Sequence, residues 1–198
     1  DVVYKVYNTN NPGMIFSWGK LDVDATGFGY DLMRHSKAFF CASSELIGLY
    51  DEGNDLRFSR YYDKYDFNNY DEGIFYVATK NYCKASTANE AYDQALRLEE
   101  AYLNRAEAYI EKGEHELGMD DVNAIRAERI KGEYELVANS VDEAREFYRL
   151  EKRLEFSFEG LRWFDIRRWG LEIEHLYQDY STPTVINHYV LKAGSPNY

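Results

Sequence analysis

Apolar positions beyond about residue 90 recur at intervals of three and four, whereas those before it fall in short runs broken by Asp, Asn and Gly. Leu98, Tyr102, Ala106 and Tyr109 gather on one face and predict a helix over 93–112, stopped by Gly113. Leu117, Val122 and Ile125 predict a second over 114–130, with its boundary at Lys131-Gly132. A third begins at Ser140-Val141-Asp142-Glu143, where Ser140 accepts from the Glu143 amide while Glu143 reaches back. It runs through Phe147, Leu150, Leu154 and Phe158 to Gly160. A short helix over 161–169 follows and ends at Gly170, and the tail from Leu171, broken by Pro183 and Pro196, reads as irregular.

The first half predicts shorter elements and long loops. Asn10-Asn11-Pro12-Gly13 is a turn, and Met14-Ile15-Phe16-Ser17-Trp18 after it is a strand. Ser43 or Ser44 caps one helix carrying Leu46, Ile47 and Tyr50, which Asp51-Glu52-Gly53 stops. Asp55-Leu56-Arg57-Phe58 and Gly73-Ile74-Phe75-Tyr76-Val77-Ala78 read as two strands of a small antiparallel sheet, separated by polar residues around Asn68-Asn69. The chain thus divides into a loop-rich segment over 1–90, a helical core over 91–170 and a tail over 171–198.

Asn104 to Leu117 resembles a degenerate tetratricopeptide hairpin, with Ala106 and Gly118 small enough to let its two helices approach closely. One hairpin cannot bury its own apolar face. The third helix, the first half of the chain and upstream repeats are each expected to cover it.

The net charge of -12 disfavours nucleic acid as a partner, since binding phosphates requires a basic face and no Lys/Arg cluster precedes Arg162. Cys41 and Cys83 imply no disulfide framework and have no local basic partner to activate a thiol. No apolar run reaches the roughly 18 residues that a membrane-crossing helix needs. The chain opens on Asp1 rather than Met, which predicts a mature or excised portion of something longer.

Few constellations could carry chemistry. Glu155 and Glu159 are four apart, the spacing of an acid and base pair on one helix face. Arg153, Arg162, Arg167 and Arg168 supply enough positive charge to neutralise these carboxylates and Asp165, which favours a structural ion-pair lattice at a helix corner. His35, His115, His175 and His188 are scattered and form no metal-binding pair, so neither a metal nor a cofactor is expected. Asp51-x-x-Asn54-Asp55 and Asp66-x-Asn68-x-x-Asp71-Glu72 hold oxygen ligands at spacings unlike an EF-hand, and read as solvated turns more readily than calcium sites.

Aromatic content is high, at 17%, and 19 of these residues are Tyr, whose flat apolar face and hydroxyl suit a polar ring-shaped ligand. Tyr102, Tyr109, Phe147 and Phe158 fall on apolar helix faces and read as core, while Trp163 and Trp169 flank arginines. Trp18, Phe28, Tyr30, Tyr61, Tyr62, Tyr65 and Tyr70 lie outside regular periodicity and are the candidate ligand-stacking rings. Glycines beside Trp18, Phe28 and Tyr30 would expose those rings, and Trp18 is the leading candidate.

The second half resembles the C-terminal signature of the SusD/RagB family. The resemblance rests on Leu96 to Ala108, on Val122-Asn123-Ala124-Ile125-Arg126, and above all on Glu151 to Gly170 with its Glu-Gly-x-Arg-x-x-Asp-x-x-Arg-Trp-Gly run. Met14 to Ser17, Ser44 to Tyr50 and Asp55-Leu56-Arg57 agree more loosely. One departure is Lys152, where the family usually has Glu beside Arg153, with Glu151 one place earlier. The resemblance implies a mainly α fold, an α-α superhelix of tetratricopeptide-like hairpins with long loops and a small antiparallel β element. It also implies a non-catalytic, cell-surface lipoprotein of the outer membrane, anchored through a lipid on a part this chain lacks. Such a protein captures oligosaccharides or other nutrients and passes them to a SusC-like TonB-dependent transporter. A helical-repeat scaffold that binds only protein is the alternative, with a glycoside hydrolase third.

Overall fold

The computed structural model describes residues 12–18, 42–66, 74–78, 80, 94–178 and 186–191. In chain order its elements are β1 (Met14–Trp18), α1 (Ser44–Ile47), α2 (Leu56–Tyr61), β2 (Tyr62–Asp66), β3 (Ile74–Ala78), β4 (Gln94–Arg97), α3 (Leu98–Glu111), α4 (His115–Ala127), α5 (Val141–Glu155), α6 (Arg162–Trp169), β5 (Ile173–Gln178) and β6 (Ile186–Leu191). The chain forms two compact units, Asp1–Phe158 and Glu159–Tyr198.

Helices α3 and α4 pair as the expected hairpin, and α5 packs against both. The close approach depends on Gly118. A Cβ at that position would lie 2.5 Å from Ile110 Cγ1 and 2.9 Å from the Ala106 carbonyl oxygen, so no larger residue fits without displacement. Leu103, Ala106 and Ile110 of α3 are buried with Met119, Val122 and Ile125 of α4 and Ala144, Tyr148 and Leu154 of α5. This seam is turned from the expected one. Leu98 and Leu117 are exposed, and Tyr102, Tyr109 and Phe147 are half-buried at its borders. Long rings at the border cover the core edge while small and branched residues fill its centre.

Helix α3 begins at Leu98, five residues later than periodicity predicts, because Gln94–Arg97 is drawn into a strand against β1. The Leu98 amide donates to the Gly13 carbonyl oxygen at 2.7 Å, which satisfies one otherwise unpaired donor of the first turn. At α5 the Ser140 hydroxyl accepts from the Glu143 amide at 3.2 Å, as expected, but Glu143 reaches back one residue further, to the Asn139 amide at 2.7 Å. Helix α5 ends at Glu155, short of the expected Gly160: Phe156 leaves the helical conformation at φ -105° and ψ 20°, and Phe158 adopts a left-handed φ of 61°.

The segment read as a strand over 55–58 is helix α2 instead, with Asp55 as its cap accepting from the Arg57 amide at 2.9 Å. The partner of β3 is β2, in antiparallel register from Tyr62↔Ala78 to Asp66↔Ile74. The Asp55–Ile130 bridge and bonds from Leu56 N to Arg129 O and from Lys131 N to Asn54 O tie this region to the loop after α4. An aromatic cluster of Tyr50, Phe58, Tyr61 and Tyr62 with Leu154 forms a second part of the core. Tyr50 Oη donates to the Leu154 carbonyl oxygen at 2.8 Å and lies 3.2 Å from Ser157 Oγ, and burial pushes its hydroxyl far above the usual titration range.

In the second unit, α6 ends at Gly170 with a left-handed φ of 65°, as expected of a C-terminal glycine. The tail expected to be irregular contains an antiparallel hairpin, β5 with β6, from Ile173↔Leu191 to Gln178↔Ile186.

Candidate functional site

The centre of charge in the first unit is Glu155, fully buried at 0% exposure. The last turn of α5 aims it at cations from four other segments. Arg97 Nη1 donates to Oε1 at 3.0 Å, Arg129 Nε to Oε2 at 3.0 Å, and Arg57 Nη1 lies 3.4 Å from Oε2. Tyr61 Oη donates to Oε1 at 3.3 Å, and Lys80 Nζ caps the Glu155 carbonyl oxygen. Burial acts to raise the Glu155 carboxyl, but Arg129, Arg97 and Arg57 outweigh it and hold the group well below the usual carboxylate range.

Glu151, one turn earlier, bridges Arg57 at 2.6 Å and Arg126 at 3.1 Å. Asp55 completes the shell around Arg57 through Oδ1 at 2.9 Å and Oδ2 at 2.8 Å. Every lobe of the Glu155 carboxylate is occupied. A carboxylate held charged and sealed from solvent has neither a transferable proton nor access to a bond, so this arrangement acts as a clasp rather than an acid or base.

The expected ion-pair corner is therefore partly corrected. Glu155 is its anchor, but the cations are Arg57, Arg97 and Arg129, not the downstream arginines. Arg153 points outward to Glu45 at 2.9 Å. Because α5 stops at Glu155, Glu159 is not on the same helix and the four-residue spacing carries no facial meaning. In the second unit Asp165 pairs with Arg168 at 2.8 Å, and Arg162 and Arg168 lie over the Trp169 ring at 5.9 and 4.7 Å. Arg167 sits in the last turn of α6. Two of the missed cations had a signal: Arg57 and Arg97 each sit between apolar residues, where a charge survives burial only if it is paired, whereas Arg129, between Glu128 and Ile130, had none.

Two of the candidate stacking rings are corrected. Tyr61 and Tyr62 are 6% and 4% exposed, and their hydroxyls are committed to Glu155 and Ser157. Their adjacency looked aperiodic because a helix passes directly into a strand between them. The backbone of Trp18 closes β1, paired with Gln94, and that of Tyr65 pairs with Phe75 in β2. Phe28, Tyr30 and Tyr70 lie outside the described residues, as do Cys41 and Cys83.

The turn at Asp51 is self-satisfied. Asp51 Oδ1 accepts from the Gly53 and Asn54 amides and Oδ2 from Asn54 Nδ2, while Asp55 is bound to Arg57. The other Asp/Asn segment lies largely outside the described residues. Among the described residues no cluster of three His, Cys, Asp or Glu is placed to hold a metal ion.

A groove of about 290 Å³ opens between the first turn of α3 and the end of α4, lined by Gly13, Leu98, Glu99, Tyr102, Glu128 and Arg129, among others. Its base is fixed by the clasp: Arg129 Nη2 donates to Glu99 Oε1 at 2.7 Å while its Nε holds Glu155. Exposed apolar side chains also occur at Ile15 and Phe16 on β1, Leu96 on β4 and Phe164 on α6.

Residues 44–192 match the SusD_RagB model of the SusD family, and the chain belongs to that family. Two solved structures share its fold. A SusD-like carbohydrate binding protein from Bacteroides vulgatus is 18% identical with a TM-score of 0.64, covering 94% of this chain and 41% of its own. A SusD-like protein from Bacteroides fragilis is 21% identical with a TM-score of 0.51, covering 94% of this chain and 49% of its own. The chain thus spans less than half the length of either structure. Among curated proteins none matches the sequence. Among the described residues no helix is long and apolar enough to cross a membrane.

Proposed function

We infer that this chain is part of a glycan-capturing protein of the bacterial cell surface that holds its cargo noncovalently and delivers it to a SusC-like TonB-dependent transporter. The observation that carries this reading is the family match over residues 44–192. It is supported by the fold shared with a protein from B. vulgatus described as carbohydrate binding. Binding uses the rings of Trp18, Phe28, Tyr30, Tyr65 and Tyr70 against sugar faces, with neighbouring Asn, Asp and Lys side chains bonding hydroxyls. The negative net charge does not oppose a neutral sugar. The protein does no chemistry on the sugar: the carboxylate best placed in sequence to be an acid or base, Glu155, is sealed inside an arginine clasp. A lipid on an upstream part of the protein anchors it to the outer membrane.

The test is a panel of soluble polysaccharides, with binding read by retardation in affinity gels and the polysaccharide recovered for chain-length analysis. Retardation by at least one polysaccharide with its length unchanged is expected. No retardation across the panel, or shortening that disappears in Glu159→Gln, would overturn the reading.

A further inference from the structure

The groove at the start of α3 has unused polar chemistry. Among the described residues the Tyr102 hydroxyl, the Glu128 carboxylate and Arg129 Nη1 take part in no hydrogen bond or ion pair, although all three residues line it. The remaining charged groups are ion-paired, although buried Glu99 Oε2 accepts no hydrogen bond. Glu99 is neutralised by Arg129 at 2.7 Å and by Arg97 at 3.2 Å, and both arginines are anchored on buried Glu155. Leu98, 45% exposed, and half-buried Tyr102 supply an apolar wall.

We propose that this groove is a subsite for a single neutral pyranose ring. Size and charge both point there. At about 290 Å³ the groove lies at the small end of ligand pockets, with room for one ring. An apolar wall receives the C–H face of a sugar, while a free carboxylate, a free phenol and a free guanidinium arm supply acceptors and donors for adjacent hydroxyls. The lining is preorganised, because Arg129 cannot swing away without breaking its bonds to Glu99 and Glu155.

The subsite lies at one end of β1. Gly13 lines the groove, and Trp18 is five residues along the strand, roughly 16 Å away at the usual rise per residue. An oligosaccharide of a few units bridges that distance, so the groove would hold one end of a glycan whose other rings lie toward Trp18. This placement rests on the glycan-capture reading above.

The test is amide chemical-shift titration of the full chain with the methyl glycosides of glucose, galactose, mannose and xylose, and separately with glucosamine as a cationic probe. Saturable shifts at Leu98, Tyr102, Ala124 and Ile125 with at least one neutral glycoside are expected. Binding should weaken about tenfold in Glu128→Gln and severalfold in Tyr102→Phe, conservative changes at positions that make no core hydrogen bond. Trp18→Ala should leave the groove response intact. Saturable shifts confined to residues around Trp18 would overturn the groove subsite and leave glycan capture standing. A response to glucosamine alone would mean a cation site and overturn the proposal. No response anywhere, in a chain that also fails the polysaccharide panel, would overturn both.

Discussion

Arg57 on α2 and Glu151 on α5, 94 positions apart in sequence, meet at 2.6 Å with each side chain only 1% exposed. Such a contact joins the loop-rich first half to the helical second half through charge, beside the apolar cluster in which Tyr50, Phe58, Tyr61 and Tyr62 pack with Leu154. Desolvating these groups is costly, and the cost is offset only while every partner is in place.

Removing one partner should therefore be severe. Arg57→Met leaves Asp55 buried without its guanidinium and Glu151 with Arg126 alone. We expect a loss of about 3–5 kcal/mol in urea unfolding. A loss below about 1 kcal/mol, the value of a surface ion pair, would show that the clasp contributes little.

The clasp also sets an acid limit. The Glu155 carboxyl is held below its ordinary value of 4.5 in the folded chain, so its contribution is fully present above that pH. It is lost as pH falls below 4.5 toward the depressed folded value. Melting temperature followed from neutral pH to about pH 3 should drop steeply below about 4.5. Glu155→Gln should be less stable at neutral pH and show a shallower drop in the same window. An equal slope in both proteins would remove Glu155 from the account.

Close packing of α3 on α4 gives a third expectation. Gly118→Ala places a methyl 2.5 Å from Ile110 Cγ1 and should cost about 1–3 kcal/mol by denaturant unfolding. Ile110→Ala should cost less in that background than in wild type, because it removes one of the two clashing groups while the Ala106 carbonyl oxygen remains 2.9 Å away. An unchanged midpoint in Gly118→Ala would mean that the helices separate freely.

A fourth concerns the start of α5. Ser140→Ala removes the acceptor for the Glu143 amide and should cost about 1 kcal/mol, read as a shift in the urea midpoint with an unchanged slope.

How legible this was in the sequence depends on the range of the interaction. Helix ends encoded by Ser140, Gly113 and Gly170 are local, and the structure places them where the chain predicts. The Ala106–Gly118 contact was likewise visible as two small residues on a hairpin. By contrast, β4 exists only because β1 lies beside it, so the helical periodicity of 93–97 misleads. Asp55 to Phe58 carries strand-like residues, but its first aspartate caps a helix. Tyr61 and Tyr62 looked free because burial at a helix-to-strand junction has neither period. The clasp was read at the right anchor with the wrong partners, since Glu155 meets Arg57 and Arg97 only after the chain has folded.

In the proposed function, sugar is held by rings outside the buried charge clasp and leaves unchanged. Calorimetric titration of the full chain with an oligosaccharide taken from the polysaccharide it retains tests this most directly, in wild type, Trp18→Ala and Tyr62→Phe. Saturable heat is predicted, weakened about tenfold or more in Trp18→Ala and unaltered in Tyr62→Phe, with the sugar recovered at its original length. Binding that persists unchanged in Trp18→Ala but fails in Tyr62→Phe, or a sugar recovered shortened, would contradict it.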